Sequence, residues 1–511
     1  MQKMSDELHN LSLCEVADLI KTKQVSAVEA LQACFEQIDT LDPVHHAFVW
    51  QDRDSAMARA LWLDRIQSAG EVLGSLHGVP MAHKDMYYRT GRVSACGSRI
   101  RSNEPARGTA TVLRKLDAAG GIDVGGLAMV EFAMGPHGFN AHLPRSLNPW
   151  GHDRVPCGSS SGSGVAVASR MVYASLGSDT GGSVRCPAAA NGIVGLLPTN
   201  ELVSRRGTMP MSWSLDCVGP LTRTVRDAAR ILTEIAGPDA NGGSASINYE
   251  HEIDWPLTGI RVGVAEGYFD EDLDPDVNKV VTGSLEVLRQ SGANIIPVKI
   301  PGSVSIASDL HPLVMKAEGS ANHKPWKRMR GDEYSAEVGK RLEAGFFIPA
   351  SDYINALQFR VFALDDFLET VLSKVDVLHT PLLPIPTPTL EQTAYSSGPN
   401  YLKMVVALTR NTKVINFLGL PALSVTCGYT SDGMPTSFQL VGRPFSESLC
   451  CDWATVIRWR PNSIARFHVN SGGPRRKRAW QQNSSANLAV PGILLVEHFH
   501  RILKTPHWRA Y

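Results

Sequence analysis

Two runs rich in glycine and serine stand close together in this 511-residue chain, at residues 156–164 and 178–183. In the second run, Gly181 and Gly182 lack side chains, so consecutive backbone amides can turn toward one point. Such a cluster of amides suits the negative oxygen that develops during acyl transfer. Ser183 ends this turn and lies beside that point, which makes its hydroxyl a candidate nucleophile.

Glycine and serine runs are more often flexible turns around a buried helix, and that interpretation stays open for these two. The apolar residues 165–172 and the strand-like residues 173–176 nevertheless hold the runs at a fixed separation, which a flexible linker would not need. Residues 158–162 match the G-x-S-x-G nucleophile elbow, but residues 151–156 before them do not form the required strand. A phosphate-binding loop is excluded because no Lys-Ser/Thr pair follows the glycines.

A nucleophilic serine needs a base, and a lysine can serve if burial lowers its pKa from ~10.4 toward neutrality. Lys84, in the segment GVPMAHKD, has the most apolar local surroundings of any lysine in the first half of the chain. Because lysines are ordinarily exposed, this context favours Lys84 as the base without deciding it. No H-E-x-x-H occurs and the 16 histidines do not cluster with cysteines at ligand spacing, so we expect no metal.

The composition argues against several classes of protein. Lys and Arg balance Asp and Glu at 50 each, and 43% of the residues are hydrophobic, as in ordinary globular proteins. Residues 452–511 carry ten basic and two acidic side chains, which leaves 40 basic and 48 acidic elsewhere, a net charge of −8. That acidic body is unlike a nucleic-acid or membrane binder. Nine scattered cysteines and the lack of ~18 consecutive apolar residues favour a cytoplasmic protein.

Local patterns predict the elements that must position these residues. Two capping boxes, Ser12 with Glu15 and Ser26 with Glu29, each begin a helix. The pattern of apolar residues predicts further helices at 110–119, 225–235 and 275–290, and strands at 260–264, 295–300, 375–379, 422–427 and 436–441. This alternation predicts an α/β fold with a mixed, largely parallel sheet that helices cover on both faces. We expect N-terminal helices over residues 1–60, a single large domain over 61–449 and a divergent basic tail over 450–511.

Taken together, these residues resemble the amidase signature family, hydrolases and transamidases with a Ser-cisSer-Lys triad. The resemblance runs from about residue 11 to residue 448. It rests on the ordered segments GVPMAHKD (78–85), ACGSR (95–99), VEFAMG (130–135), NPW (148–150), PCGSSSGS (156–163), GSDTGGSVRCPA (177–188), LDCVGPLTRTVRD (215–227), GLPALSV (419–425) and QLVGRPF (439–445). So many segments in one order make the match specific.

The resemblance implies a role for each matching position. Ser183 would be the nucleophile, Lys84 the base, and Ser159, after a cis peptide bond, the relay between them. The amides of Thr180, Gly181, Gly182 and Ser183 would form the oxyanion hole, and Met134 and Gly135 would line the acyl pocket. We expect Asp179 and Arg185 to brace the loop. Cys157 stands where the family commonly has glycine, and we interpret it as a packing residue.

The implied function is an amidohydrolase that cleaves the C–N bond of a linear amide through an acyl-enzyme. It would need no cofactor, act on a small-molecule amide and be a monomer or homodimer. An alternative is the ammonia-supplying component of a glutamyl/aspartyl-tRNA amidotransferase, its A subunit, which works within a complex. A second alternative is an inactive binding protein.

The basic tail departs from the family, which normally ends in one amphipathic helix. Three interpretations compete: an RNA contact or nuclear address through Arg475–Arg478, a disordered extension, or an altered reading frame. We favour the last, because the charge changes abruptly in the middle of the closing motif.

Overall fold

Eleven strands form one mixed sheet in the computed structural model, which describes residues 8–239, 247–251, 253 and 258–454. The strands are β1 (Phe48–Gln51), β2 (Pro80–Lys84), β3 (Ile122–Leu127), β4 (Ala174–Asp179), β5 (Val194–Leu197), β6 (Cys217–Thr222), β7 (Arg261–Glu266), β8 (Asn294–Lys299), β9 (Val377–Pro381), β10 (Ala422–Tyr429) and β11 (Pro435–Val441). Their order across the sheet is β1-β3-β2-β4-β6-β5-β10-β11-β9-β7-β8.

The sheet is mixed, as expected, but the prediction that it is largely parallel is wrong. Four pairings of the described strands are parallel (β2 with β3, β2 with β4, β7 with β8 and β7 with β9). The other six are antiparallel. The one β-α-β unit visible in the sequence is parallel, and the error came from extending its pattern to the strands around it.

Thirteen helices of the described residues pack around this sheet. They are α1 (Leu13–Lys21), α2 (Ala27–His45), α3 (Arg53–Ser68), α4 (Thr111–Ala118), α5 (Ser161–Ala168), α6 (Arg185–Ala190), α7 (Val225–Ile235), α8 (Pro275–Gln290), α9 (Ser303–Met329), α10 (Ala336–Gly345), α11 (Ala350–Phe367), α12 (Pro399–Leu418) and α13 (Glu447–Ala454). Both predicted capping boxes begin their helices, α1 and α2. None of the helices in this part of the chain is long and apolar enough to cross a membrane.

One helix begins earlier than its apolar residues suggest. We expected a helix-length apolar segment at residues 165–172, whereas α5 starts at Ser161 inside the serine run and ends at Ala168. The second half of the serine run, residues 161–164, is therefore the first turn of a fully buried helix, and residues 156–160 before it are buried as well. At the other end of the chain, α13 includes the first residues of the predicted basic tail, and residues 455–511 lie outside the described residues.

The central strands are buried on both faces. Every residue of β2, β4, β5, β6, β9 and β11 is buried, and because alternate side chains of a strand point to opposite faces, helices must cover both. The strands β2 and β4 are parallel neighbours, so their carboxyl ends lie at the same edge of the sheet. Lys84 ends β2 and Asp179 ends β4, and the glycine loop (residues 180–183) begins there.

Candidate active site

Lys84 places an amino group in the interior at the end of β2. The side chain is fully buried, at 0% exposure. Its Nζ lies 2.7 Å from the hydroxyl of Ser159 and 2.9 Å from the hydroxyl of Ser178. Burial lowers the pKa of Lys84 from 10.5 to about 7, against the opposing attraction of the Asp216 and Asp179 carboxylates. A large fraction of the amine is therefore neutral near pH 7 and can accept a proton.

Ser159 contacts Lys84 and directly precedes Ser160, which contacts the glycine loop. The peptide bond between Gly158 and Ser159 is cis, as the resemblance implies. The next residue, Ser160, donates its amide hydrogen to the carbonyl oxygen of Ser183 at 3.3 Å, which ties the serine run to the end of the glycine loop. Ser159 is fully buried, whereas Gly181 and Ser183 are each partly exposed, so a substrate can approach the glycine loop at these two residues.

The backbone conformation at Cys157 explains why the family commonly has glycine at this position. Its φ is 54°, in the left-handed region that glycine adopts most easily. The thiol is fully buried, and burial raises its pKa well above the ordinary value. Cys157 is therefore a protonated, inert thiol, in agreement with its interpretation as a packing residue.

Asp179 and Arg185 brace the glycine loop from behind, as expected. Both side chains are fully buried and joined by two hydrogen bonds of 3.1 Å. Burial raises the pKa of Asp179, but the Arg185 guanidinium outweighs it and holds the pKa at about 2. Arg185 also donates to the side-chain oxygens of Gln439 and Asn416, at 2.9 and 2.6 Å. This ion pair is thus extensively hydrogen-bonded, and the Asp179 carboxylate is ionised at neutral pH.

The amide of Gly182 is used within the protein. Its N–H donates to the Asp179 carboxylate at 2.6 Å, so it is not available to an oxyanion in this structure. This differs from the expectation that all four amides of the glycine loop face one point. Among the described residues, the amides of Thr180, Gly181 and Ser183 have no intramolecular acceptor. The role of these three amides as oxyanion donors remains a prediction.

The carbonyl oxygens of the glycine loop are anchored to two helices. His311 of α9 donates from Nε2 to the carbonyl of Thr180 at 2.8 Å. Thr412 of α12 donates from its hydroxyl to the carbonyl of Gly181 at 2.7 Å. The side chain of Thr180 in turn donates to Asp216 at 2.6 Å. Two backbone carbonyls and one side chain of the loop are therefore fixed by hydrogen bonds to residues distant in sequence.

Met134 and Gly135 pack close to residues of α9 and α10, respectively. Met134 is buried, and its methyl group is close to Gly319 of α9. A side chain at Gly135 would meet Val130 and His137 at 3.1 and 3.3 Å. This packing accounts for both residues, and their role in an acyl pocket remains a prediction.

Three residues that hold the site were missed from the sequence. Ser178 lies in the quoted run, and its contact with Lys84 follows from the pairing of β2 with β4, a register that the sequence did not reveal. His311 and Thr412 lie 131 and 231 residues beyond the loop carbonyls that they bind. His311 stands where we recognised no motif, so no local signal could have identified it.

Comparison with known proteins finds relatives over most of the chain. A model of the Amidase family matches residues 29–451. The glutamyl-tRNA(Gln) amidotransferase of Chloroflexus aurantiacus has an A subunit that is 36% identical in an alignment 479 residues long, which covers 88% of this chain and 96% of that protein.

Solved structures agree with the sequence comparison. The A subunit of the glutamyl-tRNA(Gln) amidotransferase from Thermotoga maritima is 32% identical, with a TM-score of 0.73 over 88% of this chain and 94% of its own. A solved amidase is 27% identical, with a TM-score of 0.78 over 88% of this chain and 99% of its own.

Proposed function

The chain belongs to the amidase signature family, and on that premise we propose that it hydrolyses the C–N bond of a carboxamide through an acyl-enzyme on Ser183. One observation carries the proposal: a fully buried lysine amine with a pKa of about 7 lies 2.7 Å from the Ser159 hydroxyl. A buried, uncharged amine beside a hydroxyl is the arrangement that a serine nucleophile requires.

In the proposed acylation, Lys84 takes the proton of the Ser159 hydroxyl while Ser159 takes the proton of Ser183. The Ser183 oxygen bonds to the amide carbon, and the amides of Gly181 and Ser183 bind the resulting oxyanion. The C–N bond then breaks, and the proton returns through Ser159 to the departing nitrogen. The amine, or ammonia from a primary amide, leaves, and the acyl group remains as an ester of Ser183.

Deacylation repeats these steps with water. Lys84 and Ser159 take a proton from a water molecule as its oxygen bonds to the ester carbon. The Ser183 oxygen leaves and recovers its proton along the same relay, which releases a carboxylic acid. In this scheme the chain's own groups supply the nucleophile, the base and the oxyanion donors.

A second candidate function is favoured by the relatives. The similar curated proteins, at 33–36% identity, are A subunits of glutamyl-tRNA(Gln) amidotransferases, and they support this function more strongly than that of a stand-alone hydrolase. In that case the same acylation of Ser183 would release ammonia for transfer within a complex. The two candidates share the chemistry of the site and differ in the fate of the ammonia.

Labelling with a fluorophosphonate probe tests the nucleophile. We expect the purified full chain to be modified at Ser183, and Ser183→Ala to lose both labelling and amide hydrolysis. Ser161→Ala is the matched control, because the Ser161 hydroxyl donates to the carbonyl of Ala128, at 3.4 Å, and not to a group of the relay. Labelling that persists in Ser183→Ala would overturn the proposal.

Ammonia release separates the two candidates. We expect the chain alone to release ammonia from glutamine or short aliphatic amides if it is a hydrolase. Release that occurs only with added amidotransferase partner subunits, tRNA and ATP would instead identify the second candidate.

A further inference from the structure

We infer that His311 is a positioning residue for the oxyanion hole: its ring fixes the peptide between Thr180 and Gly181 so that the Gly181 amide faces the reacting carbonyl. This inference rests on the proposed acylation of Ser183. It assigns a function to a residue on α9, in a part of the chain without a recognisable motif.

The histidine is in direct contact with the loop. His311 is 3% exposed, and its Nε2 lies 2.8 Å from the carbonyl oxygen of Thr180. A side chain placed at Gly181 would come within 2.9 Å of the His311 ring, so the ring lies directly against the glycine backbone. This contact requires glycine at position 181 and leaves the Thr180–Gly181 peptide little room to rotate.

The geometry of the peptide unit transmits this contact to the amide. In a trans peptide the C=O and the following N–H point in opposite directions, because the unit is planar. Once His311 holds the carbonyl of Thr180, the N–H of Gly181 must point away from the histidine. That amide has no acceptor among the described residues, and Gly181 itself is partly exposed.

The ring acts through orientation and not through charge. Burial lowers the pKa of His311 to about 3, so the imidazole is neutral at physiological pH. Since its Nε2 faces a carbonyl oxygen, the hydrogen resides on that nitrogen and the ring donates. A neutral donor leaves the oxyanion's charge to the backbone amides, in keeping with the preorganised donors that stabilise such transition states.

The next peptide of the loop shows why His311 matters more than Thr412. Thr412 holds the carbonyl of Gly181, but the following amide, that of Gly182, is already bonded to Asp179 at 2.6 Å. That peptide is fixed at both ends. The Thr180–Gly181 peptide is fixed only at its carbonyl, so its orientation depends on the single bond from His311 and on the packing of the ring.

The test compares four purified full-length variants by the kcat and KM for p-nitrophenyl butyrate and by the rate of fluorophosphonate labelling. We expect His311→Phe, which keeps the ring but loses the donor, to lower kcat and labelling about 10- to 100-fold with KM within about twofold, below the full ~10²- to 10³-fold loss of one oxyanion donor. His311→Gln, whose amide reaches the carbonyl, should recover most of the loss. His311→Asn, which is too short, should not.

His379→Phe is the matched control. His379 is also buried, with its pKa lowered by burial to about 3, but it contacts Ser284 and Phe438 away from the glycine loop. We expect its kcat to stay within about twofold of the wild type. Should His311→Phe not fold, the Gln and Asn pair carries the test, because both are neutral amides that differ in reach.

Two results would overturn the inference without affecting the proposed function. The first is a His311→Phe or His311→Asn enzyme that keeps wild-type kcat and labelling. The second is equal loss in the Gln and Asn variants. A Ser183→Ala variant that keeps activity in the same assay would instead overturn the proposed function itself.

Discussion

Two fully buried basic side chains contact the residues just before the glycine loop, and they have opposite surroundings. Arg185 faces the Asp179 carboxylate through two hydrogen bonds of 3.1 Å and meets further oxygens on Asn416 and Gln439. Lys84 faces two hydroxyls, those of Ser159 and Ser178, and forms no ion pair with any residue that the structure describes. Both side chains are 0% exposed.

The difference shows that burial alone does not make a base. Removal from water disfavours the charged form of a basic side chain, whereas a carboxylate in contact with it favours that form. The guanidinium is paired with a carboxylate and braces the loop. The amine, with only hydroxyls in contact, has its pKa lowered to about 7, which suits the proposed role as proton acceptor. Equal burial therefore goes with a structural role for Arg185 and with the proposed catalytic role for Lys84.

Removal of the amine should have the largest effect. We expect Lys84→Met to lower kcat/KM for amide hydrolysis by about 10⁴-fold, because both serines lose their base. The measurement is ammonia release by the purified variant, with far-ultraviolet circular dichroism to confirm folding. Activity within tenfold of the wild type would contradict the role of Lys84.

The same variant tests whether the lysine lowers stability. The folded pKa of about 7 lies below the unfolded 10.5, so the native protein binds fewer protons between these values and wild-type stability rises with pH there. We expect the advantage of Lys84→Met in urea unfolding to be largest at pH 7 and to shrink by up to about 1.4 kcal/mol per pH unit above it. An advantage that grows with pH would contradict the lowered pKa.

Removal of the paired cation should mainly affect stability. Arg185→Met leaves the Asp179 carboxylate buried without its partner, and we expect a loss of about 3–5 kcal/mol in the free energy of unfolding. Urea unfolding at pH 7 measures it. Because an unpaired Asp179 must take up a proton, the loss should shrink as the pH is lowered toward 4, where the unfolded carboxyl is also protonated.

The double variant Arg185→Met/Asp179→Asn is the control. It removes both charges, so its stability should exceed that of Arg185→Met alone. Equal losses in the single and double variants would mean that the pair contributes through packing and not through charge.

The sequence predicted what depends on neighbours in the chain. Capping boxes marked the starts of α1 and α2, and the apolar pattern gave β7, α8 and β8 with parallel pairing. The triad positions came from motif resemblance, and the structure brings Lys84 and Ser159 into contact across 75 residues. The confirmed elements rest on signals confined to short segments, and the roles of Lys84, Ser159 and Ser183 remain predictions.

The predictions that were wrong, and the residues that were missed, depend on contacts between distant parts of the chain. The share of parallel pairings was overestimated, since strand order is decided by packing between segments far apart. The start of α5 was misplaced because its first turn, Ser161 to Gly164, is polar in sequence yet buried in the fold. His311 and Thr412 carry no local pattern, and only the folded chain brings them to the glycine loop.

The smallest expected effect concerns the second hydroxyl beside the amine. Ser178 lies 2.9 Å from Lys84 Nζ, and we interpret it as an acceptor for one N–H, which leaves the nitrogen lone pair facing Ser159. We expect Ser178→Ala to lower the plateau of kcat/KM about tenfold, because the amine loses one of its two orienting contacts.

The Ser178→Ala variant should also change the pH dependence of kcat/KM, in a direction that follows from the role of the Ser178 hydroxyl. Since the neutral amine is the active form, wild-type kcat/KM should rise with pH through about 7. A hydroxyl that accepts a hydrogen bond from the ammonium favours the charged form, so its removal should lower the pKa of Lys84 and move the rise to lower pH. Ser175→Ala, whose hydroxyl donates to the Ser163 carbonyl, is the matched control from the same strand. A shift to higher pH would show that Ser178 favours the neutral amine, and the contrast between the two cations would then rest on burial alone.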